Sequence, residues 1–182
     1  MPLGELEEEE WHKVLVIGAE KLFIERLREI LDATAVFRPT EVSVALELFD
    51  DAHSGDYEFV GGFENDDLVA YACFGATPGT DRTFDLYWIA VHPAAQGHGA
   101  GSRVLAGVEQ QLRARGARLL VVETSSRVEY APTRRFYTGR GYREVARMRN
   151  FYAPCDDRVI YTKSLLPSPR SSYPDPSPSR HE

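Results

Sequence analysis

The 182-residue chain contains no run of about twenty apolar residues, the length a membrane-crossing helix needs. It shows no secretory-signal architecture either, so the cytoplasm is the expected compartment. Cysteine is scarce: Cys73 and Cys155 stand at no spacing that suggests metal ligands or a disulfide framework, and no metal is expected. Cys73 lies in an apolar strand pattern and reads as a buried thiol, whereas Cys155 lies in a polar loop and reads as exposed. A basic face is also missing. Lys and Arg number 21 against 28 Asp and Glu, a formal charge of −7, but five glutamates fall within the first ten residues. The remaining body is close to neutral, so neither nucleic acid nor a membrane is an expected partner.

What is present is a dense stretch from Val91 to Leu112, VHPAAQGHGAGSRVLAGVEQQL. A β-type segment, Leu86 to Val91, enters a turn at His92-Pro93. The glycine-rich loop Gln96-Gly-His-Gly-Ala-Gly101 follows and opens directly into a helix whose apolar stripe is Val104, Leu105, Val108 and Leu112. Gly116 stands where a helix C′ residue is wanted. A strand, a glycine loop and a helix N-terminus together form an anion site. The glycines let backbone come close, and the unpaired N–H groups and helix dipole face a phosphate. A phosphate-bearing cofactor is therefore expected, against the plainer reading of a loop that merely joins a strand to a helix.

Spacing narrows the choice. No lysine lies near the loop, which excludes a Walker motif. The dinucleotide pattern Gly-x-Gly-x-x-Gly fails from either start, since the third position is Ser102 counted from Gly97 and Val104 counted from Gly99. No acidic residue ends a convincing second strand about twenty residues on. Gln96, Gly99 and Gly101, directly after Val91-His92-Pro93, fit Gln/Arg-x-x-Gly-x-Gly/Ala. That resembles the acetyl-CoA pyrophosphate loop of the GNAT N-acetyltransferase superfamily. Downstream, Pro132-Thr-Arg-Arg-Phe-Tyr137 followed by Gly141-Tyr142 resembles the superfamily's A-x-x-F-Y-x-x-x-G-F/Y signature, with Thr133 in place of alanine and Tyr130 where asparagine is common. The resemblance covers roughly residues 14 to 166. TPGTDRTFDLYWIAVHP, VVETSS and NFYAPCDDRVIYTKSL are similar to one bacterial and archaeal branch, in which aspartate usually stands at the Asn150 position and glycine at the Cys155 position.

The coarse order is mixed α/β in one domain of residues 13–166, between an acidic flexible leader (1–12) and a disordered Pro/Ser-rich tail (167–182). Val14–Ile17 reads as a strand and Ala19–Ala33 as a helix with Phe23, Leu27, Ile30 and Leu31 on one face. Thr40 is the expected N-cap of a second helix whose apolar face is Val42, Ala45, Leu46 and Phe49. Tyr57–Phe63 and Leu68–Gly75 form a hairpin joined by Glu64-Asn-Asp-Asp67. Thr83–Val91 delivers the glycine loop, Leu119–Thr124 is a buried strand, and Tyr142–Phe151 and Arg158–Leu165 close the chain. The resemblance implies the GNAT fold: a mixed, mostly antiparallel central sheet flanked by helices. Its splayed fourth and fifth strands, here Asp85–Val91 and Leu119–Thr124, would hold the pantetheine arm of acetyl-CoA as a co-substrate.

The resemblance also implies acetyl transfer to a primary amine of a small molecule or peptide, directly in a ternary complex. The cofactor contacts it suggests are Ile89, Val91, Gln96, Gly97, His98, Gly99, Ala100, Gly101 and Ser102. Tyr137 stands at the family's acid position. A phenol of pKa around 10 can protonate a departing thiolate whose thiol pKa is near 8.5; the plainer alternative is that Tyr137 only packs beside Phe136. Glu123, a carboxylate in an apolar run, suits a base whose pKa is raised by burial, or an ion pair with one of the many arginines. Alternation places Asp85 and Tyr87 on the Val91 side of their strand. Asp156 and Asp157 read as a solvated turn, with holding an acceptor ammonium as the alternative role, and His98 as a donor of backbone N–H alone. Arg103, Arg113, Arg115 and Arg118 read mostly as a solvated face, with the nucleotide's 3′-phosphate as the alternative role. The acceptor pocket is expected around Phe37–Thr40 and Phe151–Asp157. A CoA-binding regulatory module without turnover is the alternative function, a dinucleotide oxidoreductase a more distant one, and a homodimer is left open.

Overall fold

The computed structural model describes residues 20–51 and 56–166. The expected strand Val14–Ile17, the glutamate-rich leader and the Pro/Ser tail lie outside the described residues. Two helices come first, α1 (Glu20–Thr34) and α2 (Pro39–Asp51). Leu27, Ile30 and Leu31 of α1 and Val42, Ala45, Leu46 and Phe49 of α2 are buried as their spacing requires. The start of α2 differs from expectation. Pro39 occupies the first helical position, where its missing N–H costs nothing, and so moves the cap back to Arg38. Glu41 then accepts from the Arg38 N–H at 2.6 Å, one arm of a capping box, and Thr40 lies inside the first turn.

The strands are β1 (Glu58–Glu64), β2 (Asp67–Ala76), β3 (Thr83–Val91), β4 (Leu119–Ser125), β5 (Arg143–Ala153) and β6 (Asp156–Ser164). Pairing of β1 with β2 runs out to Glu64 and Asp67. The turn is therefore only Asn65-Asp66, both left-handed (φ 50 and 65), the geometry of a two-residue hairpin. Helix α3 (Ala100–Ala114) follows β3, and α4 (Ala131–Thr138) follows β4, with Pro132 in its first turn. One six-stranded sheet results, in the order β1-β2-β3-β4-β6-β5. Every pair is antiparallel except β3 with β4. This is the mixed, mostly antiparallel sheet flanked by helices that the sequence suggested.

Two cores lie on its two faces. One joins Val104, Leu105, Val108 and Leu112 of α3 to Phe74, Leu86, Leu120, Val122, Val159 and Tyr161 of the sheet. The other joins α1 and α2 to Phe59, Leu68, Tyr71, Cys73 and Ala90, and takes no buried residue from β4, β5 or β6.

Two irregularities in β3 position the site. Cys73 pairs with Trp88 and Phe74 with Leu86, so Tyr87 is a bulged residue without a partner on β2. The bulge shifts the alternation. Phe84 and Leu86 face the α3 core, but beyond the bulge Ile89 and Val91 do so, while Trp88 and Ala90 face α1 and α2. Asp85 and Tyr87 thus do not share the Val91 face, contrary to the regular-strand expectation. The second irregularity is the pairing of β3 with β4, which covers only Thr83–Leu86 against Leu119–Val122. Past that point the two strands part, the splay expected of strands four and five, which are the third and fourth strands among the described residues.

Candidate active site

Gln96 donates from its side chain to the Val91 carbonyl at 3.0 Å and closes the turn that leaves β3. Gly97 and Gly99 both have left-handed backbone (φ 79 and 87), which glycine adopts without the Cβ penalty. Gly99 is the N-cap, and the first bond into α3 runs from Arg103 N to Gly99 O at 3.0 Å. The N–H groups of Ala100, Gly101 and Ser102 therefore have no intrahelical acceptor, and they sit at the positive end of the 15-residue helix. Gly101 matters for a different reason. A Cβ there would lie 3.2 Å from Val91 Cγ2 and 3.3 Å from Phe136 Cε2, so both side chains would have to give by a few tenths of an ångström where α3 starts against β3 and α4.

A cavity of about 1140 Å³ opens between the parted strands. Ile89, Val91, Gln96, Gly97, Gly99, Ala100, Gly101 and Ser102 line it, as do Tyr137 and Glu123. His98 is the one expected contact that does not: it is exposed, and its carbonyl accepts from Arg103 at 3.0 Å. Arg103 also pairs with Glu64, while Arg113 is tied to Glu109, Arg115 to Glu58 and Arg118 to the Asp81 carbonyl, so of these four only Arg103 borders the loop.

Tyr137 is buried, 3% exposed, with its ring packed edge-on to Phe136 and Tyr142. Burial pushes its phenol pKa well above the usual tyrosine value. Glu123 stands on β4 one residue beyond the last pair with β3. It is exposed rather than buried and forms an ion pair with Arg158, so the expected desolvation of this carboxylate is not found.

The acceptor end joins the two expected segments. Phe37 and Arg38 from the α1–α2 connection and Thr40 from the first turn of α2 line the cavity together with Tyr152 and Asp156 from the β5–β6 hairpin. Phe37 and Trp88 rings meet at 4.9 Å. Asp156 is not a solvated turn residue. It begins β6, is 4% exposed, accepts from the Ser125 hydroxyl, and lies 3.6 Å from both Arg38 Nη2 and Arg127 Nε. Tyr130 donates to Glu41 at 3.2 Å, and Glu41 also faces Arg127 at 3.8 Å. This clasp ties α2 to the far side of the splay. Asp85, by contrast, accepts from Thr77 at 2.6 Å, and the Tyr87 ring packs edge-on to Tyr57. Cys155 has φ 63, which explains why glycine suits that position; Asn150 holds the turn by accepting from the Cys155 N–H at 2.8 Å.

Sequence reasoning passed over Arg140 and the clasp. The Arg140 guanidinium lies 3.7 Å over the Phe136 ring, bonds the Phe136 carbonyl at 2.9 Å and reaches the Ser102 hydroxyl, placing a cation beside the start of α3. Its i,i+4 spacing from Phe136 was the available signal. The clasp had none, because Tyr130 and Glu41 are 89 residues apart.

Comparison with known proteins agrees with this geometry. Residues 24–142 match the sequence profile of the Acetyltransferase (GNAT) family. None of the curated proteins matches the chain. Among solved structures, a protein from Desulfovibrio desulfuricans assigned to the GNAT family of acetyltransferases is 40% identical, with a TM-score of 0.79 over 86% of this chain and 98% of that one. The ribosomal-protein-S18-alanine N-acetyltransferase of Escherichia coli is 20% identical, with a TM-score of 0.68 over 86% and 97% of the two chains. An aminoglycoside 6′-N-acetyltransferase complexed with coenzyme A is 15% identical, with a TM-score of 0.70 over 87% and 98%. The latter two share the fold. The match over most of the domain, together with the 40% identity, establishes that the chain belongs to the GNAT family of acetyltransferases.

Proposed function

We propose that the protein moves the acetyl group of acetyl-CoA to a primary amine of a small molecule or peptide, directly, with both reactants held in the cavity between β3 and β4. The observation that carries this reading is the coincidence of three features. The two strands part beyond Leu86, the glycine loop with its unbonded N–H groups sits at one end of the gap, and Tyr137 lines the cavity without a protein partner for its hydroxyl among the described residues. The residues present fit the co-substrate. Ala100, Gly101 and Ser102 N–H groups and the α3 dipole would take the pyrophosphate, with Gly97, His98 and Gly99 shaping the loop, Gln96 holding it against β3 and Arg140 adding charge. The free edges of Ile89 to Val91 on β3 would take the amide groups of the pantetheine arm.

The thioester brings an already activated acyl group, so the chain needs to supply position and proton transfer. Glu123, which lines the cavity beside Arg158, would receive the proton of the incoming ammonium through water. Tyr137, which burial keeps in the phenol form, would give its proton to the departing sulfur. The Phe37–Trp88 wall and the clasp at Asp156 would hold the amine. The transferase unit is residues 13–166, and its compartment is the cytoplasm; no helix among the described residues is long and apolar enough to cross a membrane. A test is release of CoA thiol from acetyl-CoA across amino acids, polyamines, aminoglycosides and peptide N-termini. Amine-dependent release supports the reading. Acetyl-CoA binding with no release for any amine would instead make the protein a CoA-binding regulatory module.

A further inference from the structure

β5 departs from what a sheet strand normally does. Every residue from Arg143 to Tyr152 is exposed, on both faces, and only Ala153 is partly covered. Val145 (58%), Met148 (47%), Phe151 (47%) and Tyr152 (44%) rank among the exposed large apolar side chains of the described residues. The strand is also terminal in the sheet, so its outer N–H and C=O groups have no ladder partner among those residues. The edge holds no proline, glycine or lysine; it carries the charges Arg143, Glu144, Arg147 and Arg149 and a register shift at Val145.

Register with β6 assigns the faces. Glu144 and Arg147 stand opposite Tyr161 and Val159, on the α3 side, because a bulge at Val145 brings residues three apart to the same face. Arg143, Ala146 and Met148 stand opposite Thr162, Ile160 and Arg158, on the face that α1 and α2 do not reach.

We propose that β5 pairs antiparallel with β5 of a second copy of the chain, about a two-fold axis between Val145 and Ala146, joining the two sheets into one. In this register Glu144 lies opposite Arg147 of the partner subunit and Arg147 opposite Glu144 of the partner subunit. Arg143 lies opposite Met148 of the partner subunit. The Glu144–Arg147 and Arg143–Met148 pairs each share a sheet face, as antiparallel pairing requires, whereas a one-residue slip would oppose side chains from different faces. Glu144 and Arg147 already pair at 3.1 Å within one chain, so the axis would gather four charges of alternating sign. A second copy suits this edge better than the chain's own ends. The tail after Leu166 holds five prolines, which cannot donate to a ladder, and the leader is a run of glutamates, poor strand formers.

Sedimentation velocity on the full chain at micromolar concentration tests this. The wild type should sediment as a dimer. Glu144→Arg and Arg147→Glu should each yield monomers, since four like charges would then meet at the axis, and the doubly swapped variant should restore the dimer. Acetyl-CoA affinity, measured in parallel, should be unchanged in all of them, which separates loss of the interface from loss of the fold. Met148→Glu, which places a carboxylate opposite Arg143 of the partner subunit, should tighten the dimer. A monomeric wild type, or single-swap variants that stay dimeric, would overturn the proposal. So would a dimer that appears only after residues 1–12 or 168–182 are removed, because the strand would then be covered by the chain's own end.

Discussion

Tyr137 is built into the core and open to chemistry at once. Its ring is fixed between Phe136, Tyr142 and Tyr161, while the hydroxyl has no protein partner among the described residues and the residue lines the cavity. Tyr137→Phe removes one oxygen and almost no volume, so acetyl-CoA affinity should hold while kcat falls by roughly 10²–10⁴, the range for a positioned acid. Unaltered kcat would leave Tyr137 a packing residue. Its raised pKa also fixes the sign of a pH effect. The folded phenol keeps its proton where a free tyrosine near 10 would ionise, so the alkaline fall of kcat should lie above that value. Glu123 is the less protected assignment, being exposed and already paired with Arg158. Glu123→Gln should lower kcat/KM for the amine by about tenfold or more while leaving acetyl-CoA affinity unchanged. An unchanged kcat/KM across pH would leave Glu123 as the ion pair alone.

At the scale of elements, β2 carries two groups that burial keeps neutral. It pushes the Cys73 thiol up to about 12 and raises the Tyr71 phenol further above its ordinary value. Both folded pKa values exceed the unfolded ones, so the stability they contribute is complete below pH 9 and is lost as pH rises through the folded values. The melting temperature should therefore fall steadily above pH 9. A flat profile to pH 12 would mean that β2 opens to solvent. The elements themselves were largely legible, since the stripe of α3, the apolar faces of α1 and α2 and the alternation of β1 and β2 each repeat a local period. The glycine loop was legible for the same reason: all its requirements lie within a few residues. The β3 bulge was not, because alternation read from sequence assumes a regular strand, and nothing around Tyr87 announces the extra residue. Asp156 was misread as solvated because its burial comes from Arg38, Arg127 and Ser125, none of them near it in sequence. Of the two readings of Glu123, the ion pair is found, with Arg158, and the burial is not, because Glu123 occupies the open face of β4 beyond the last β3 pair.

Across the whole molecule, the sheet is covered unequally. The α3 face is closed from β1 to β6, whereas the α1–α2 face is closed only as far as β3, and the cavity lies where that cover stops. Leu165 is buried and its N–H bonds the Arg118 carbonyl at 3.0 Å, so the fold is secured to that point. Deleting Ser168–Glu182 should accordingly leave both melting temperature and acetyl-CoA affinity unchanged; a drop of several degrees would place the tail within the folded unit. The central claim is that the backbone of the Gln96–Ser102 loop binds the pyrophosphate of acetyl-CoA. Titration calorimetry of acetyl-CoA against the wild type and Gly99→Asp tests it most directly, because aspartate tolerates left-handed backbone better than most residues and brings a carboxylate to the anion site. The account predicts binding by the wild type and a loss on the order of tenfold or more in a variant that remains folded. Equal affinity in the two proteins would contradict it.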